Sequence, residues 1–123
     1  MLSKEKVDEF YEIGYTTVKN IFSLQEIDEI KRCIDRLYNV ALNLPNGKIM
    51  HNGSQFVTTK IDDMKQVHRV VWAGGCEPEL LEYAHNQKIL SAASQILNSS
   101  TLDHIINQIH FKQPRDKVFF PLH

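Results

Sequence analysis

Ser23 opens a helix that is spelled out residue by residue. Ser23 and Glu26 have the S-x-x-E spacing of a capping box. In that motif the Ser side chain accepts from the amide at Glu26, and the Glu reaches back to the amide of the cap. Ile27, Ile30, Ile34, Leu37, Ala41 and Leu44 then recur at steps of three and four. They form one face of a helix of about five turns. Lys31, Arg32, Asp35 and Arg36 fall largely off that stripe, and Pro45-Asn46-Gly47 stops it. A stripe of this length requires an apolar layer to lie on, which the remainder of the chain has to provide.

Before this helix, residues 3–13 read as a shorter one, with Val7, Phe10 and Tyr11 as its apolar stripe and Gly14 as its C-terminal cap. Residues 15–18 are β-branched and aromatic and read as a short strand. After it, residues 55–60 and 66–72 read as strands joined through 61–65, and His51 falls in a polar loop. Gly74-Gly75 breaks the pattern. Glu77-Pro78 starts a helix with Pro at its first position, where a missing amide hydrogen costs little. Residues 87–97 carry Ile89, Leu90, Ala93, Ile96 and Leu97 and read as a further helix, ended by Asn98-Ser99-Ser100. Residues 102–112 change period and read as a strand. Successive strand side chains point to opposite faces, so Ile105, Ile109 and Phe111 share one layer while Gln108, His110 and Lys112 share the other. Residues 113–117 form a loop, and 118–123 begin another strand.

Helices first and strands later indicate an α+β domain, a single unit over residues 1–123. The apolar strand Val118, Phe119, Phe120 and Leu122 has nothing after it to pair with, which points to a sheet cut before completion. Unpaired strands of this kind favour a homo-oligomer.

Lys and Arg total 14 and Asp and Glu total 15, for a formal net charge of -1. That balance gives no electrostatic reason to expect nucleic acid or an anionic membrane as a partner. No apolar run approaches the roughly 20 residues that span a bilayer, and the polar start Met1-Leu2-Ser3-Lys4-Glu5-Lys6 lacks the apolar core of a secretory signal. Cys33 and Cys76 make neither a disulfide framework nor a CxxC pair. Cys33, inside a helix, reads as a small buried apolar residue, and Cys76 as a turn residue. The expected setting is reducing and cytoplasmic. Gly74-Gly75 lacks both phosphate-loop contexts, and no G-x-S-x-G elbow occurs. His51, His68, His85, His104, His110 and His123 show no tight metal-ligand spacing, so spacing alone assigns none of them to a metal.

Asn107-Gln108-Ile109-His110-Phe111-Lys112-Gln113-Pro114, followed by the loop and by Pro121-Leu122-His123, resembles the core of phytanoyl-CoA dioxygenase-like enzymes. In that family an N-Q-x-x-F-K-x-P strand leads into a segment ending in His-x-Asp. The start from Phe10 to Asn20, FYEIGYTTVKN, is similar to the family's F-x-x-x-G-Y-x-x-x-x-N opening. Val67-His68-Arg69-Val70-Val71-Trp72 and the helix around residues 80–84 sit where the family has comparable elements, so the resemblance covers essentially the whole chain.

The resemblance implies an iron(II) and 2-oxoglutarate-dependent oxygenase that acts on a small organic or lipid-like substrate. Its fold would be N-terminal helices plus part of a double-stranded β-helix, or jelly roll. Carried across by position, His123 is the first iron ligand, and Gln108, Lys112 and Arg69 bind cosubstrate or substrate. The Asp of His-x-Asp, the distal His and the 2-oxoglutarate-gripping Arg do not occur within these residues. A site of this class needs two His and one carboxylate on one face of the metal. The expectation is therefore an N-terminal, truncated portion with no catalytic residue of its own and no cofactor bound by the fragment alone. Two other readings stand beside it. One is a non-enzymatic α+β binding module using the polar strand face. The other is a small metal-binding protein using His104, His110 and His123.

Overall fold

The structure is a computed structural model that describes residues 1–114. The strand expected at 118–123, and His123 with it, lie outside the described residues. The element order is α1 (Lys4–Ile13), α2 (Leu24–Asn43), β1 (Gly47–His51), β2 (Ser54–Ile61), β3 (Met64–Val71), α3 (Ala73–Cys76), α4 (Glu79–Ala84), α5 (Gln87–Leu97) and β4 (Gln108–His110). The strands form one antiparallel sheet in the order β1-β2-β3-β4, so the α+β class expected from sequence is what the chain adopts.

The capping box at Ser23 is present in full. Ser23 Oγ accepts from the Glu26 amide at 3.2 Å, and Glu26 Oε2 accepts from the Ser23 amide at 2.7 Å. A Ser23→Ala variant is expected to lose about 1 kcal/mol of stability, read as a fall of roughly 4 °C in the thermal midpoint. Asp at this position should restore most of it, because a carboxylate also accepts from the first-turn amides and suits the helix N-terminus.

The sheet is built from two tight hairpins. Asn52 and Gly53 both take positive φ, 47° and 80°, and join β1 to β2. Asp62 and Asp63 do the same at 51° and 60° between β2 and β3. Two consecutive left-handed residues match the right-handed twist of paired strands, and Asn, Asp and Gly reach that region most cheaply. This corrects the assignment of His51 to a loop: it lies in β1, with its ring 6.1 Å from that of Phe56.

Further expectations are corrected. Residues 15–18 form no strand; they have no neighbouring strand to pair with, and Thr16 Oγ1 instead donates to Glu9 Oε2 of α1 at 2.7 Å. The strand expected over 102–112 is confined to Gln108–His110. Val71, the last residue of β3, pairs with Gln108, so residues before Gln108 run past the end of β3 and find no ladder. Ile105, assigned from alternation to the apolar layer, is 83% exposed. Gly74-Gly75, read from sequence as breaking the pattern, lies within the single turn α3, and Pro78, read as the first helical residue, stands at the cap of α4 with helical angles.

The core lies between α2 and one sheet face. Cys33, Leu37 and Ala41 of α2 meet Phe56, Val67 and Val70, with Ala73 and Leu80 closing the end. Ile109 and Phe111 join the margin, and the Phe111 ring stands 5.3 Å from that of Tyr38. Cys33 is thus the buried helix residue expected of it, and burial pushes its thiol above the usual range.

Candidate functional site

The register carries each residue to a definite row. Directly opposed residues on neighbouring strands share a face. Ile49, Phe56, Val70 and Ile109 form one row across all four strands, on the core side. The flanking rows therefore face the other way. One is Lys48, Val57, Arg69 and His110; the other is Met50, Gln55, Val71 and Gln108. Their middle members are half-buried, and Lys48, Met50, His110 and Gln108 at the edge strands are exposed.

Three of the four site residues expected from sequence can be placed. Arg69 lies directly across from His110, and Gln108 is diagonal to Arg69, one row along. Lys112 is exposed just past Phe111, whose amide donates to the His68 carbonyl at 2.8 Å and extends the pairing beyond β4. His123 is outside the described residues. Arg69 Nε is buried and has no hydrogen-bond partner in the structure. A buried donor left unmatched costs about 1–3 kcal/mol, and more when the group is charged. The guanidinium is thus held beside Val57 and Val71 with a donor to spare.

The position of β4 depends on a residue the sequence reading gave no role of its own. Asn107 accepts at both its oxygens: the backbone carbonyl from the Ala73 amide at 3.0 Å, and Oδ1 from the Gly74 amide at 3.0 Å. These are first-turn amides of α3, which lack partners inside the helix. Ser54 completes the junction, donating to the Trp72 carbonyl at 2.6 Å and accepting from the Cys76 amide at 2.9 Å. No signal around Asn107 in the sequence marks this role, because the Gly74 amide it accepts from lies 33 residues away along the chain.

On the helical side a second polar group joins α2 to α4 and to Glu77 at the end of α3. Arg36 donates from Nε and Nη2 to the two Glu77 oxygens, at 2.9 and 2.8 Å. That bidentate pairing holds the Glu77 carboxyl below its usual range. Its contribution to stability is therefore present above the ordinary carboxylate range and is lost as pH falls through the lowered value. Tyr83 donates to Glu29, and that bond raises the phenol to about 12. These contacts are satisfied within the protein, so they tie α4 to α2 and leave little free for a ligand.

Among the described residues no three His, Cys, Asp or Glu side chains converge as a metal site, and no helix is long and apolar enough to cross a membrane. His104 packs on Trp72, with ring centroids 5.9 Å apart, and on His85. Compared with known proteins, the chain matches no protein-family model, no curated protein and no solved structure.

Proposed function

We propose that the chain is the N-terminal portion of an iron(II)/2-oxoglutarate-dependent oxygenase of the phytanoyl-CoA dioxygenase type, acting on a small organic or lipid-like substrate. The observation that carries this reading is Arg69, held across from His110 and diagonal to Gln108, with a buried Nε that lacks a partner. A carboxylate is the group that best satisfies a guanidinium, accepting two parallel N–H bonds. 2-Oxoglutarate has a carboxylate at each end, so these residues fit the cosubstrate.

In this reading the open face of the sheet lines the interior of a jelly roll. Arg69 and Lys112 supply positive charge, and the Gln108 amide donates to an oxygen and sets its orientation. Val57 and Val71, half-buried on either side of Arg69, exclude water and so strengthen those bonds. His123, which lies outside the described residues, and the ligands that the resemblance places after it would hold the iron. When bound, iron(II) supplies the oxygen-activating chemistry.

The reading frame after codon 123 should continue as His-x-Asp from His123 and include a later His. The complete enzyme should then release succinate from 2-oxoglutarate in an iron-dependent way. The 123-residue chain alone should give none above background, since three protein ligands are needed. In the complete enzyme, Arg69→Ala should raise the KM for 2-oxoglutarate by about tenfold or more, given about 1.5–3 kcal/mol for a hydrogen bond to a charged group. A frame without Asp two residues after His123, or succinate made by the short chain, would remove the reading.

A further inference from the structure

We propose that His85 and His104 form a two-imidazole site for a divalent cation of the late first row: Cu²⁺, Ni²⁺ or Zn²⁺. His85 caps the end of α4, fixed by its amide bonds to the Leu81 and Glu82 carbonyls at 3.0 and 3.1 Å. His104 comes from the irregular segment 99–107, which the end of β3 leaves without a strand partner. The two rings meet edge to face, with centroids 5.1 Å apart and planes at 87°. His104 Nδ1 stands 3.2 Å from His85 Nε2.

That separation suits a shared cation. Imidazole nitrogens bind such ions at about 2.0–2.1 Å, and two of them in neighbouring positions then stand about 2.8–3.0 Å apart in an octahedral shell and about 3.3–3.4 Å in a tetrahedral one. The outer contact is of the right kind too. His104 Nε2 lies 3.0 Å from the Ile106 carbonyl, which can only accept. The proton is therefore on Nε2, and Nδ1 accepts from the His85 Nε2–H; a cation bound between the two nitrogens takes the place of that proton. Metal-binding histidines are oriented in this way by a carbonyl on their second nitrogen.

The charge beside the pair favours a cation over an anion. The two histidines stand in the lining of an open, largely apolar pocket of about 410 Å³, with Leu90, Leu97 and Asp103. Asp103 brings negative charge to that lining, and no Lys or Arg contributes to it. Imidazole suits the borderline metals rather than Mg²⁺ or Ca²⁺, which take oxygen ligands. Both histidines are exposed, so the ion can enter and water can complete its shell. Among the described residues no third protein ligand joins them, which makes the site weak and exchangeable rather than structural. It uses none of Arg69, Gln108 and Lys112 and does not depend on the oxygenase reading.

Trp72 is the only tryptophan in the chain, and its ring lies 5.9 Å from that of His104, so it reports on the site directly. Copper(II) bound there quenches indole emission at contact range. Titrating the 123-residue chain with CuCl₂ near neutral pH should give saturable quenching, and ZnCl₂, which does not quench and binds imidazole less tightly, should restore emission only in large excess. His85→Ala and His104→Ala should each weaken copper binding by at least about tenfold, while His51→Ala should leave it unchanged. Should His104→Ala fail to fold by circular dichroism, His104→Gln, whose amide still reaches a carbonyl, serves in its place. Absent quenching in the parent chain, or parental copper affinity in either histidine variant, would overturn the proposal.

Discussion

Phe56→Ala is expected to lower the unfolding free energy by about 3–5 kcal/mol. Among the described residues Phe56 is the largest fully buried side chain, and it is 0% exposed. It stands mid-row between Ile49 and Val70, facing Cys33, Leu37 and Ala41 of α2 across the core. Its removal loses the transfer free energy of the ring and leaves a hole that these neighbours fill only in part. Leu37 and Val70 are themselves fully buried and fixed on a helix and a central strand, so the site collapses poorly. Total stabilities of domains are about 5–15 kcal/mol, so the variant is expected to sit near the edge of folding. Urea denaturation checks this: the midpoint should fall sharply with an unchanged slope. Phe56→Leu keeps most of the volume and should cost less than half as much as Phe56→Ala. A loss below about 1 kcal/mol for Phe56→Ala would mean that the sheet face assigned to the core is not the core.

Gly75→Ala is expected to cost at least about 2 kcal/mol through overpacking. The cause is a close approach of two backbones, not backbone strain at Gly75. A Cβ on Gly75 would lie 2.5 Å from the Gly53 carbonyl oxygen and 2.6 Å from its carbon. Both belong to main chain, which cannot swing aside as a side-chain tip would. Gly53 is the second residue of the β1–β2 hairpin and takes φ 80°, so the turn is held in place by its own ladder. Relief therefore requires either the hairpin or α3 to move, and α3 is tied down by Asn107 and Ser54. The disturbance should pass through Asn107 to β4. Amide chemical shifts of Gln108, Ile109 and His110 should change, and hydrogen exchange there should quicken. A Gly75→Ala chain with parental stability and unchanged shifts at β4 would show that this junction is loose.

Local chemistry made α1, α2 and α5 legible, because a helix closes its hydrogen bonds within its own segment and advertises its caps and stripe. Ser3, Ser23 and Asn86 each accept from an amide of the first turn, and Gly14 and Asn98 end α1 and α5 in the left-handed region. β2 and β3 were legible for a similar reason, being β-rich runs joined by a short turn. β1 was missed although Asn52-Gly53 carries the strongest short hairpin signal, since Pro45-Asn46-Gly47 before it reads as a plain stop. Alternation around Gln108 correctly assigned Ile109 and Phe111 to the core side and Gln108 and His110 to the other.

What alternation cannot give is length. A strand lasts only as long as its partner, and β3 ends opposite Gln108, so the six residues before it lost their ladder despite a strand-like composition. The same dependence explains residues 15–18, where propensity met no neighbour. Tertiary structure alone decided that Arg69 stands across from His110, that its Nε is buried without a partner, and that Asn107 caps α3. It also decided that His104, nineteen residues from His85, comes to rest 3.2 Å from it. These are pairings between distant segments. They follow from strand register and from how the chain packs where β3 ends, and neither is written in the spacing of residues along the sequence.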